Sequence, residues 1–234
     1  MEKVQRTSLE CQPLDELLKG GVEHGIITNF YGASGTGKTN VCIQAAASCI
    51  DKGKNTLYID TEGGFSAERF LQMNGNEEEH LEDLVMMEPA TFEEQKQAFS
   101  RLDDLVEQEN IKMIIVDSLV ALYRIKLQEE VSESNRELSR QLSILSKIAR
   151  KKDIPVIVTN QVYSSFKTDD ITMVGRDVPT YWSKCLVRLE KVSENTRKAV
   201  LKKHRSRPEG LSKSFRLGRE GLMDTENGVE EEIL

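Results

Sequence analysis

Cysteine, tryptophan, histidine and proline are all scarce in this chain. Its 234 residues hold four cysteines, one tryptophan, three histidines and five prolines, and aromatic residues make up 6%. Cys11, Cys42, Cys49 and Cys185 form no C-x-x-C pair and have no companion histidine cluster, which argues against both a zinc site and a disulfide scaffold. Cys42 and Cys49 read instead as small buried apolar residues, and a reducing cytoplasm fits them. No apolar run approaches the ~20 residues that span a bilayer, and no signal peptide opens the chain. A surplus of positive charge is missing as well. The net charge of −7 argues against a surface coated for nucleic acid. Hydrophobic residues at 38% and charged residues at 30% suit one α/β domain with a full core.

The charge that is present is unevenly placed. Residues 77–109 carry twelve acidic and two basic residues, which reads as a solvated face. Residues 184–207 carry nine basic and two acidic, gathered into a short space. Residues 224–234 are acidic and expected to fray.

Glycine is concentrated where it is costly. "FYGASGTGKTN", residues 30–40, holds three glycines between an apolar run and a helical pattern. Gly32, Ala33, Ser34, Gly35, Thr36, Gly37, Lys38 and Thr39 fit G-x-x-x-x-G-K-[ST], the phosphate-binding P-loop. The glycines let the backbone turn its N–H groups inward as an anion nest, and the helix starting near Lys38 adds its positive dipole end. The motif implies a nucleoside triphosphate, with Lys38 on the β- and γ-phosphates and the Thr39 hydroxyl on Mg²⁺.

Apolar, β-branched runs occur at "IITNFYG", "NTLYID", "DLVMM", "KMIIVD" and "PVIVTNQV", with helical patterns between them. The alternation predicts a mostly parallel sheet flanked by helices. "TFEE" at 91–94 and "SNRE" at 134–137 both match the helix-starting capping box, the second followed by an apolar face of Leu138, Leu142, Leu145 and Ile148. After residue 183 the pattern changes to consecutive strands, predicted to add antiparallel to the same sheet. Asp117, at the end of "MIIVD", stands where a P-loop protein holds Mg²⁺. Asp60 and Glu62 in "LYIDTEGG" both stand at a strand end, where a carboxylate can take a proton from water. Asn160 and Gln161 put neutral amides at another.

"PLDELLKGGVEHGIITNFYGASGTGKT", "LYIDTEGGFSAERF", "IIVDS", "VIVTNQV" and "KHRSRPEG" follow one another in the order found in the RecA/RadA recombinase family. The resemblance covers about residues 8–224. It implies a single RecA-type P-loop core over 1–234, with C-terminal antiparallel strands and without an N-terminal DNA-binding domain, as in a short archaeal paralogue. It implies ATP and Mg²⁺ as cofactors. By the same resemblance Glu62 activates water, Gln161 senses the γ-phosphate, and Arg69 stacks on adenine. Lys203 and Arg205 in "KHR" resemble a pair inserted into a neighbour's ATP site, so the basic stretch has two competing uses, subunit contact and DNA contact.

Family DNA contacts come from two loops. Here they fall at about 124–136, offering Arg124, Lys126 and Arg136, and at about 163–183, offering Lys167 and Arg176 with Tyr163, Phe166, Tyr181 and Trp182 as stacking faces. Residues 124–140 hold four basic and four acidic residues, and 163–183 hold two and three, which predicts modest, salt-sensitive binding to single-stranded or branched DNA. Only seven residues precede the matching core and no phenylalanine precedes Phe30, so the family's Phe-x-x-Ala filament contact has no counterpart. The expectation is an accessory protein of recombination and repair, with weak ATPase activity little stimulated by DNA and no strand exchange of its own. The RadA recombinase and a Holliday-junction resolvase are the partners the family implies, with weak self-association at most. A DNA-stimulated strand-exchange recombinase and a KaiC-like signalling ATPase that does not bind DNA are the rival readings.

Overall fold

A computed structural model of the protein describes residues 4–127, 131–164, 171–175 and 177–225. The chain opens with β1 (Arg6–Thr7), α1 (Gln12–Leu17) and β2 (Val22–Glu23), followed by β3 (Ile27–Tyr31) and α2 (Lys38–Ile50). Next come β4 (Thr56–Asp60), α3 (Ala67–Met73), a 3-10 turn at Glu78–Asp83, β5 (Leu84–Met87), α4 (Phe92–Ser100) and α5 (Leu102–Gln108). The centre holds β6 (Met113–Asp117), α6 (Ala121–Leu127), α7 (Val131–Lys152) and β7 (Val156–Asn160). A small hairpin of β8 (Val162–Ser164) and β9 (Ile171–Met173) leads to α8 (Asp177–Trp182). The last strands are β10 (Cys185–Lys191), β11 (Thr196–Lys203), β12 (Ser212–Gly218) and β13 (Gly221–Asp224).

Among the described residues, nine strands form one sheet in the order β13-β12-β11-β10-β3-β7-β6-β4-β5. The strands from β10 to β5 in that order are parallel, while β11, β12 and β13 add antiparallel. The predicted α/β class, with its late antiparallel strands, is the observed one.

Both faces of the parallel strands are covered, and alternate residues divide between two cores. Phe30, Tyr58, Ile115 and Ile157 pack beneath α1, α2 and α3. Ile27, Ile59, Val116 and Val158 pack beneath α4, α5 and α7. Two-sided burial is why these strands read as continuous apolar runs rather than as alternation. Cys11, Cys42, Cys49 and Cys185 are free thiols inside the protein, and burial pushes Cys11 and Cys185 up to about 12.

Thr91 caps α4 as its motif predicts, its hydroxyl accepting the Glu94 N–H at 3.2 Å while Glu94 accepts the Ala90 N–H at 2.9 Å. "SNRE" does not cap a helix. Ser134 lies inside α7, 1% exposed, with its hydroxyl unpartnered among the described residues. The segment 124–136, expected as a loop, is helical over most of its described length, because it contains no glycine or proline to stop α6 or delay α7. Leu138, Leu142, Leu145 and Ile148 then form the buried face of α7 as expected. Among the described residues no helix is long and apolar enough to cross a membrane.

Candidate functional site

Parallel strands level at their carboxyl ends present their following loops on one edge of the sheet. Tyr31 is registered with Asn160 and Asp60 with Asp117, so β3, β7, β4 and β6 finish together. That register gathers the P-loop, Glu62, Asp117 and Gln161, four features spread over 130 residues of sequence.

Two P-loop glycines are required by geometry. Gly37, at the N-terminus of α2, has φ 92°. A Cβ on Gly32 would stand 2.4 Å from the Leu189 carbonyl oxygen, because β10 lies directly against the loop. Lys38 curls inward, its Nζ donating to the Ala33 carbonyl at 2.9 Å and the Gly32 carbonyl at 3.1 Å. Burial lowers the pKa of this amine, while Asp117 and Glu62 pull it back up. An anion in the loop would replace those carbonyls as the partner of the ammonium, and the N-terminus of α2, which starts at Lys38, favours negative charge there.

Asp117 is buried at 4% exposure, and burial raises its pKa against the hydrogen bonds that hold it. Thr159 Oγ1 donates to Oδ1 and Tyr58 Oη donates to Oδ2 at 3.0 Å, and the nearby Thr39 side chain also favours the ionised carboxylate. Thr39 and Asp117 thus bring two hard oxygen donors together at the mouth of the P-loop. Among the described residues no group of three or more His, Cys, Asp or Glu gathers in a way that could hold a metal ion. One or two protein oxygens completed by phosphate and water is the donor set of Mg²⁺, and these residues fit it.

Asp60 and Glu62 divide their work. Asp60 turns inward at 3% exposure and accepts the N–H groups of Glu62 (3.0 Å), Gly63 (2.9 Å) and Phe65 (2.8 Å). It shapes the loop and does not face the cleft. Glu62 does face it, held from two sides. Ser118 Oγ donates to Oε1, and Gln161 Nε2 lies 2.9 Å from both carboxylate oxygens. Arg124 in turn donates to Gln161 Oε1 and sits over the Tyr163 ring at 5.6 Å. Tyr58, Thr159 and Ser118 are partners that sequence alone did not single out.

Arg69 reaches the same end of the molecule. Its Nε donates to Asn40 on α2 at 3.0 Å, and its Nη atoms donate to Gln72 (2.9 Å) and to the carbonyls of Gly218 (2.8 Å) and Arg219 (2.6 Å) in the β12–β13 turn. The guanidinium therefore ties α2 and α3 to the last hairpin, with Asn40 the residue directly after the P-loop's Thr39.

The candidate DNA residues are partly brought together. Arg124 and Lys126 lie on α6 and Arg136 on α7, with Arg124 and Arg136 exposed. Lys167, Phe166 and Arg176 lie outside the described residues. Tyr163 and Tyr181 are exposed at 43% and 70%, whereas Trp182 packs inward with its Nε1 donating to Ser139 at 3.2 Å.

The basic stretch 184–207 forms no single face. Arg197 is 6% exposed and donates to the carbonyls of Ser193, Glu194 and Thr196 beside Gly37. Lys203 donates to the Thr180 carbonyl at 2.8 Å, and Arg205 pairs with the buried Glu23 of β2. β11 thus carries the chain from the P-loop edge to the opposite edge of the sheet. Lys203 and Arg205 cannot serve the nucleotide site of their own chain.

The Rad51 family model matches residues 2–225. The DNA repair and recombination protein RadB of Methanococcoides burtonii is 45% identical over 215 residues, covering 91% of this chain and 95% of that protein. Its namesake in Methanothermobacter thermautotrophicus is 39% identical over 217 residues, covering 90% and 92%. A crystal structure of the RadB recombinase superposes with a TM-score of 0.82 at 39% identity, over 94% of this chain and 99% of that one.

Proposed function

The chain belongs to the Rad51 family, and from that premise we propose that it is an ATP- and DNA-binding accessory protein of homologous recombination and DNA repair. The observation that carries the reading is the meeting of the P-loop, Asp117, Glu62 and Gln161 on one sheet edge. In this reading the nest and Lys38 hold the phosphates, and Arg69 offers its guanidinium face to the adenine. Thr39 and Asp117 hold Mg²⁺, which neutralises charge on the transferring phosphate when bound. Glu62 takes a proton from the attacking water or orients it, and Gln161 exchanges its hold on Glu62 for the γ-phosphate.

Slow turnover is part of the proposal. An arginine finger contributes about 10³–10⁵ in rate to such sites. Here Lys203 and Arg205 stand far from the cis site and are engaged inside their own chain. Only a second copy, docked across the sheet edges, brings them to a phosphate. A weak homo-oligomer that binds ATP, turns it over slowly and does not exchange strands alone suits a helper. Its expected partners are a RadA recombinase or a junction resolvase acting on single-stranded or branched DNA. Arg124, Lys126 and Arg136, with Lys167 and Arg176, are the proposed DNA contacts.

The test sets two variants beside the wild-type protein. Lys38→Ala should lose binding of a fluorescent ATP analogue while keeping its melting temperature. Glu62→Gln should keep Mg²⁺–ATP bound and lose turnover. Wild-type protein should shift labelled single-stranded DNA at low salt, releasing it as salt rises. Wild-type turnover in Glu62→Gln would give the catalytic role to another group, and joint molecules formed without another recombinase would overturn the accessory role.

A further inference from the structure

Strand side chains alternate, so Arg197 stands on the same side of β11 as Ala199 and Leu201, which lie in the core beneath α1 and α2. An arginine 6% exposed in that row is costly unless it is paired. Arg188 and Arg205, the neighbouring arginines of the basic stretch, pair with Glu190 and Glu23, whereas Arg197 pairs with no carboxylate among the described residues. Directly opposite it stand Phe215 on β12 and Lys191 on β10, and neither can neutralise it. Its Nη1 donates to the carbonyls of Ser193 (3.1 Å), Glu194 (3.0 Å) and Thr196 (3.1 Å), which offer dipoles but no net negative charge. Its Nε is buried and unpartnered among the described residues.

The position of this charge suggests its use. β10 runs parallel to β3, so the turn after β10, which the guanidinium holds, stands at the carboxyl edge of the sheet beside the P-loop. The arginine's stem packs there as well: a Cβ on Gly37 would lie 3.8 Å from Arg197 Cγ and 3.5 Å from Leu217 Cδ1. Gly37 is the N-cap of α2, so a buried cation lies against the positive end of a helix whose first residue is Lys38. Like charges gathered in this way repel one another until an anion joins them. We propose that Arg197 is a specificity-determining residue for polyphosphate, a buried permanent charge beside the P-loop whose counter-charge is the ligand, favouring the more highly phosphorylated nucleotide. This rests on the P-loop binding ATP, and it adds to that loop a charge which lies about 160 residues outside its motif. A guanidinium keeps its proton throughout the pH range of a folded protein, and burial protects its field from screening by salt.

Two variants of the full chain test it, with ATP, ADP and AMP each competing against a fluorescent ATP analogue. Arg197→Met keeps the stem against Gly37 and removes the charge, while Arg197→Lys keeps both stem and charge. Arg197→Met should lose about tenfold in affinity for ATP, less for ADP and least for AMP, because the interaction lost scales with the charge of the ligand. The loss for ATP should persist at about 0.5 M salt, since a buried charge is screened little. Arg197→Lys should stay near wild type for all three. Melting supplies a second readout: the gain in melting temperature on adding ATP should shrink in Arg197→Met and survive in Arg197→Lys. Equal losses for the three nucleotides, or Arg197→Lys as weak as Arg197→Met, would show a structural role only and overturn the proposal. An Arg197→Met variant that binds ATP as wild type does, with wild type preferring ATP to AMP, overturns it too and leaves the P-loop reading standing. A wild-type chain with no preference for ATP over AMP refutes the P-loop reading itself, and the proposal falls with it.

Discussion

Asp60 lends itself to a substitution that changes one atom. Its carboxylate, 3% exposed, accepts three backbone N–H groups: Glu62 and Gly63 on Oδ1, Phe65 on Oδ2. Asp60→Asn keeps the shape and one acceptor oxygen. With that oxygen retained toward Glu62 and Gly63, the new NH₂ group points at the Phe65 N–H, donor against donor. A charged hydrogen bond contributes ~1.5–3 kcal/mol, and an unsatisfied buried donor costs ~1–3 kcal/mol. Relaxation of the loop recovers part of this, which leaves a net loss of about 2 kcal/mol. For a chain of this size that corresponds to roughly 4–8 °C in melting temperature. Asp60→Ala, which leaves all three donors without a partner, should lose more. Urea unfolding of wild type and both variants, followed by circular dichroism, measures the ranking. In Asp60→Asn the loop still places Glu62 near the cleft, so affinity for an ATP analogue should hold while turnover drops. Stability of Asp60→Asn within about 0.5 kcal/mol of wild type, the range of neutral surface changes, would show that the three bonds do not hold the loop.

Two further outcomes are expected. Tyr58→Phe removes the donor to Asp117 Oδ2, so the variant should need several-fold more Mg²⁺ to bind an ATP analogue, with Mg²⁺-free binding unchanged; an identical Mg²⁺ titration would show that Tyr58 does not orient Asp117. His24 and His204 both have pKa values lowered, first of all by burial, so the unfolded chain takes up protons before the folded one and stability should fall as pH drops below the unfolded histidine value of about 6.5. The melting temperature measured from pH 7.5 to 5 should show that slope, and His204→Gln should flatten it.

What the sequence makes legible is what short-range chemistry decides. The P-loop announces itself because φ 92° at Gly37 and the backbone approach at Gly32 exclude other residues within eight positions. Thr91 is readable for the same reason, since cap and partner are three residues apart. Ser134 carries the same local signature inside a helix, and nothing nearby says that α7 has already begun at Val131. Tyr58 and Thr159 look like ordinary strand residues; only the register of β4, β6 and β7 turns both hydroxyls onto Asp117. The basic run 184–207 misleads in the opposite way. Continuous in sequence, it is divided by an antiparallel hairpin between two edges of the sheet. Arg205 finds its partner Glu23 across 182 residues, a pairing no local pattern contains.

The four hydrogen bonds of Arg69 have a thermodynamic consequence at the outer margin of the sheet. β12 and β13 form its last two strands, and their turn is fastened to α2 and α3 through the Gly218 and Arg219 carbonyls. A ligand that binds only the folded arrangement stabilises whatever must be ordered for it to bind. If a base rests on that guanidinium, the hairpin must be docked for the base to find its platform. Part of the binding free energy then reappears as slower opening of strands that never touch a phosphate. Amide exchange in residues 212–224 should therefore slow when nucleotide is added, and clipping the hairpin should register as weakened nucleotide affinity with the P-loop untouched.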